Sequence, residues 1–130
     1  MAHTNKFDLD LQFGKKYENL FQKTIEGQVE CKCDRIWHKT SNLYIEIESR
    51  GKPSGIKVTT AKNYVFCLHS KDRSDDDQIW LVIPTNLLKE FIKDYPIRNG
   101  GDNYTSKGHI VPAKDLIDFQ IQQQKFRCFC

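Results

Sequence analysis

Apolar and polar residues change period several times along the 130-residue chain. Residues 7–11, Phe-Asp-Leu-Asp-Leu, alternate and predict a short lead-in strand. Phe13, Tyr17, Leu20, Phe21 and Thr24 then recur at helical spacing, which predicts an amphipathic helix over 12–25, ended by Glu26-Gly27. Over 28–37, Val29, Cys31 and Cys33 share one face and Glu30, Lys32 and Asp34 the other, the pattern of a strand with one buried face. A polar turn follows from His38 to Asn42. In 43–49, Leu43, Ile45 and Ile47 then oppose Tyr44, Glu46 and Glu48, and the two runs together predict an antiparallel hairpin.

Arg50 to Gly55 is dense in turn formers. Val58 to Tyr64 fits a short helix or a strand. Tyr64–Leu68 and Ile79–Ile83 read as strands around a polar loop, Ser70–Asp77. Pro84-Thr85 opens a helix to about Lys93, with Leu87, Leu88, Phe91 and Ile92 as its apolar face. Asn99–Asn103 reads as a flexible loop, His109–Val111 as a short strand, and Pro112 starts a last helix to about Gln124. This order predicts a single α/β domain: a central mixed sheet flanked by helices.

Composition narrows the class. With 38% hydrophobic and 28% charged residues the chain is globular rather than disordered. Its apolar runs are only a few residues long, as in Trp80–Ile83, so no membrane span is expected. The first residues carry no apolar signal core. Five cysteines, an odd number, fit a reducing compartment, so a cytoplasmic location is expected, a host's cytoplasm if the chain is viral. Cys31, Cys33, Cys128 and Cys130 form two Cys-x-Cys pairs. They read as free structural thiols, with a shared zinc as the alternative. The four histidines have no ligand spacing. Asp72 and Asp75–Asp77 read as a solvated hairpin tip.

The acids carry the chemistry. A hairpin turning near 39–41 would bring Asp34 beside Glu46, which shares a face with Glu48, and Glu18 on the preceding helix could border the same sheet. Converging carboxylates repel unless a cation neutralises them, and all-oxygen donors suit Mg²⁺ or Mn²⁺. Such an ion activates water for phosphodiester hydrolysis. On pattern alone, alternating acids also describe a solvated face.

The ordered set Gln28–Asp34, Ser41–Glu48, Gly51–Ile56 and Thr59–Tyr64, preceded by Phe7–Gly14 and Glu18, resembles the PD-(D/E)XK nuclease superfamily, in a small phage-type or resolvase-like form. The resemblance covers roughly residues 7–66. It implies a restriction-endonuclease-like core and a Mg²⁺- or Mn²⁺-dependent DNA endonuclease. Asp34 and Glu46 would bind the metal, the Ile47 carbonyl would complete the set, and Glu18 would assist. The motif's lysine is missing, since Glu48 stands two residues after Glu46. Either Glu48 takes over as base or second-metal ligand, or a lysine arrives from elsewhere, Lys62 ranking above Lys57 and Lys32. A rival register pairs Asp8 or Asp10 with Glu30-x-Lys32. The same resemblance admits a binding module of the same fold without catalysis.

Near-neutral totals hide an uneven distribution. The net charge is only +3, yet Arg35, His38, Lys39, Arg50, Lys52, Lys57 and Lys62 crowd the proposed site. Arg35, Lys39, Lys52, Ser54 and Lys57 are the expected phosphate contacts. Trp37 and Tyr44 could stack on bases, and Asn99–Asn103 with Lys107 could form a lid. Cutting two strands calls for two sites and so suggests a homodimer.

Overall fold

The computed structural model describes residues 6–33 and 37–127. Helix α1 (Lys6–Glu26) leads into strand β1 (Val29–Cys33), the short helix α2 (Trp37–Thr40) and strand β2 (Asn42–Ser49). Next come β3 (Lys52–Pro53), β4 (Asn63–Leu68), β5 (Ile79–Pro84), helix α3 (Thr85–Ile92), β6 (Ile97–Gly100), β7 (Ser106–Pro112) and helix α4 (Ala113–Arg127). Single 3₁₀ turns lie at 55–57, 75–77 and 102–104.

The strands form two sheets rather than one. The first is mixed, in the order β1-β4-β5, and the second is antiparallel, in the order β3-β2-β7-β6. The expected hairpin of β1 and β2 is therefore absent. β1 runs parallel to β4, from Val29 opposite Asn63 to Cys33 opposite Cys67, whereas β2 pairs with β3 and β7. The reason lies in β4. Tyr64, Val65, Phe66 and Cys67 are all buried, so this strand is apolar on both faces, the pattern of a central strand, and it pairs with β1 on one edge and β5 on the other. β1 fills one edge as a half-polar strand. In β2, Leu43 and Ile45 lie opposite two buried residues of β7, Val111 and His109.

One core joins the two sheets. Leu43, Ile45 and Val111 from the antiparallel sheet meet Tyr64, Phe66 and Ile83 from the mixed sheet, and Leu88, Ile92, Ala113 and Leu116 close it from α3 and α4. His109 is a core histidine, its Nδ1 2.9 Å from the Tyr95 carbonyl oxygen. No described helix is long and apolar enough to cross a membrane.

Other expectations shift with the packing. Residues 7–11 belong to α1: Phe7 and Leu11, and Leu9 and Phe13, are four apart, so the helical period absorbs the short alternation. The 58–62 segment is neither helix nor strand. Its backbone is pinned by Lys62 N–H to the Gln28 carbonyl (3.2 Å) and Thr85 N–H to the Lys62 carbonyl (2.8 Å). The predicted 99–103 loop contains the end of β6 and a 3₁₀ turn, and β7 begins at Ser106 rather than His109. β4 and β5 form the expected hairpin, with the acidic loop at its exposed tip.

Candidate functional site around Glu46

The Arg50–Gly55 segment is built onto β2. Arg50 (φ 51°) and Gly51 (φ 79°) occupy the two central positions of a tight turn in which Ser49 faces Lys52. Two consecutive positive φ values match the twist of a two-residue hairpin. Past β3, Ser54 N–H donates to the Ile47 carbonyl at 3.0 Å, and Ser54 Oγ donates to Glu46 Oε2 at 2.9 Å. Gly55 (φ 55°) lies so close to β2 that a Cβ there would sit 2.9 Å from the carbonyl carbon of Glu46. Turn, hydroxyl and glycine thus fix one carboxylate.

Glu46 and Glu48 do not share a face. A register shift places Glu46 opposite Gly108 and Glu48 opposite Lys107. Adjacent strand residues point to opposite faces, so the two acids diverge. Ile47 packs its side chain against the core, and its carbonyl accepts the Ser54 N–H. Glu48 instead lies 3.6 Å from Lys107 Nζ, which also removes Lys107 from the predicted lid.

Tyr64 is the residue that sequence reasoning missed. It is 1% exposed, and its hydroxyl has no hydrogen-bond partner among the described residues. Burial, then the charges of Glu30 and Glu46, push its phenol from 10.0 up to about 12. Glu30 is the Cα partner of Tyr64 across β1 and β4 and forms an ion pair with Lys32 at 3.1 Å. Acids from the two rival registers, Glu46 and Glu30, therefore both bear on one buried hydroxyl. An apolar run such as Asn63–Leu68 gives no hint that its tyrosine will be enclosed beside two carboxylates.

This burial has a pH signature. Between pH 10 and about 12 the unfolded chain gives up the Tyr64 proton that the folded chain keeps, so stability falls as pH rises. The loss is on the order of 2–3 kcal/mol. Urea unfolding at pH 8 and pH 11 should show a smaller drop in Tyr64→Phe than in the unmodified chain. Tyr95, also raised to about 12 by burial and then its hydrogen bond to Asp115, leaves a residual drop in both.

The remaining candidates scatter. Glu18 is exposed on α1, and no three His, Cys, Asp or Glu side chains converge on a metal position among the described residues. Asp34 and Arg35 lie outside the described residues, as do Cys128 and Cys130. Lys39, Lys52 and Lys57 are exposed. Lys62 lines an open groove with Leu20, Lys23, Thr24, Gly27, Gln28 and Asn63, a lining that holds two cations and no acid. The Tyr44 ring is no base-stacking platform. It lies over Gly108 and Gly100, and its hydroxyl is 2.7 Å from Ser106 Oγ. Cys31 and Cys33 are exposed rather than buried, because β1 is an uncovered edge, while Cys67 is buried opposite Cys33.

No family model, curated protein or solved structure matches this chain. Glu46, fixed by the Ser54 hydroxyl, and Glu30, paired with Lys32, both add to burial in raising the Tyr64 phenol, and carboxylate oxygens of this kind suit a hard cation.

Proposed function

We propose that the chain is a Mg²⁺- or Mn²⁺-dependent DNA endonuclease of the PD-(D/E)XK type, acting in the cytoplasm. The observation that carries this reading is the folding of the Gly51–Gly55 loop onto Glu46, with Ser54 gripping its carboxylate. Two motif pieces separate in sequence thereby meet at one acid. The mixed sheet, joined to an antiparallel one, would be a variant of the restriction-endonuclease-like core.

Mg²⁺ keeps several waters and needs only one or two protein carboxylates. Glu46 with Asp34 would hold it, and the Ile47 carbonyl remains within the same strand segment. When bound, the ion supplies an activated water and neutralises phosphate charge. Ser54 Oγ donates to Glu46 Oε2 and so orients its carboxylate. Tyr64, protonated up to about 12, can donate a hydrogen bond at neutral pH but cannot serve as a base. Glu48, already paired with Lys107, is a poor replacement for the missing lysine. Lys62 and Lys23 share a groove whose lining holds no acid, and there they would contact phosphate.

The test is cleavage of linear, single-stranded and branched DNA with Mn²⁺. Glu46→Gln should lower the rate by about 100-fold or more, and Asp34→Asn likewise. A wild-type chain that cuts none of these substrates, or variants that cut equally well, would end the assignment. The second reading, a nuclease-fold protein that grips DNA or another protein without cutting, is favoured by the Glu48–Lys107 pair and by the absence of a three-ligand group among the described residues. It predicts DNA binding that is indifferent to Mn²⁺ and to Glu46→Gln.

A further inference from the structure

Helix α1 is 21 residues long and buries none of them. Phe7, Leu9, Leu11, Phe13, Tyr17, Leu20, Phe21 and Ile25 are each between 45% and 72% exposed. At about 200 Å² per large apolar side chain, Phe7, Leu11, Phe21 and Ile25 on one face expose roughly 460 Å², and Leu9, Phe13, Tyr17 and Leu20 on the other about as much. One such face is below the roughly 800 Å² per partner of a standard interface, the size of a weak, reversible contact.

Within this surface, Phe7, Leu11, Gly14, Glu18, Phe21 and Ile25 repeat at alternating spacings of four and three, the seam of a coiled coil. Two members look wrong for a solitary helix. Gly14 costs about 1 kcal/mol relative to alanine in a helix interior. The chain itself does not require it, because nothing lies within 4 Å of where a Cβ would be. Glu18 puts a charge into an otherwise apolar seam. Both make sense against a second copy run antiparallel. Residue 7 then meets 25 of the other copy, 11 meets 21, and Glu18 enters the space left by Gly14, with Lys15 of that copy one residue away. In a parallel pair, Glu18 would face its own copy in the seam, a like-charge contact.

We infer that α1 is a self-association element: two copies of the chain pair through antiparallel α1 helices, with Glu18 seated over Gly14. Other occupants fit worse. The helix carries Lys6, Lys15, Lys16 and Lys23 against Asp8, Asp10, Glu18 and Glu26, so it has no net charge. Anionic lipid and nucleic acid both select a basic face. The pairing uses no group at Glu46, but it gives Glu18 a place in the seam instead of the assisting role at the metal that the nuclease resemblance implies.

Sedimentation velocity of the full chain should give twice the 15.3 kDa monomer mass at about 100 µM and a concentration-dependent shift below it. Leu11→Asp with Phe21→Asp should weaken association by about 100-fold or more. At concentrations where both are monomeric, its urea midpoint should stay near wild type, since α1 contributes nothing to the core. Gly14→Leu, which fills the space for Glu18, should weaken association by about tenfold. Orientation is read from Phe7→Glu and Ile25→Arg: each alone weakens association, and together they restore part of it. A wild-type monomer at that concentration would overturn the proposal. So would a dimer indifferent to Leu11→Asp/Phe21→Asp, or a Phe7→Glu/Ile25→Arg protein weaker than either single variant.

Discussion

Gly55→Ala should destabilise the fold by about 3 kcal/mol or more, read as a lowered urea midpoint at unchanged slope. Two costs combine. The residue sits at φ 55°, where a side chain is strained, and the new Cβ would press on the carbonyl group and the Cβ of Glu46. The obstructing atoms are mostly backbone of a paired strand, so they cannot swing aside. Gly51→Ala is the control. Its φ is 79°, but nothing lies within 4 Å of its Cβ position, so only the strain of about 1 kcal/mol remains. If the two substitutions cost the same, the loop is not packed on Glu46 as described. The same displacement should weaken Mn²⁺ binding in Gly55→Ala and leave it unchanged in Gly51→Ala, provided the ion binds at Glu46.

Ile83→Ala should cost 2–5 kcal/mol, the range for removing a large aliphatic side chain from a close-packed core. Ile83 is 0% exposed and is the β5 partner of Tyr64. Its side chain belongs to the core that both sheets share. The cavity would open next to the enclosed Tyr64 ring, so the upper half of the range is expected. Ile79→Ala, at the exposed end of the same strand, should fall within about 0.5 kcal/mol of wild type. A small effect at Ile83 would mean that the two sheets do not depend on a common core.

Much of the secondary structure was legible from periodicity. β2 and α3 lie where the apolar spacing puts them, β4 and β5 where a short apolar run does, and α4 where Pro112 opens it. Pairing was not legible. The alternation of Val29–Cys33 and Leu43–Ser49 suits a hairpin with each other as well as it suits their real partners. Only the two-faced burial of β4 and the match of β2 to β7 choose between them. The Glu46-x-Glu48 pattern misled for a related reason. A bulge adds one residue to one strand, and no residue in Asn42–Ser49 announces it.

The sequence by itself determined one α/β chain with an amphipathic first helix, a turn-forming loop after β2 and acids available to a hard cation. Those features follow from local chemistry: side-chain spacing, glycine at positive φ, carboxylate charge. Tertiary structure decided which of these groups meet. It split the strands into two sheets, turned Glu48 away from Glu46, gave Glu46 to Ser54, and enclosed Tyr64 beside Glu30 and Glu46. The physical reason is that such contacts join residues far apart in the chain. They are selected by how the shared core packs, and a local pattern carries no record of that choice.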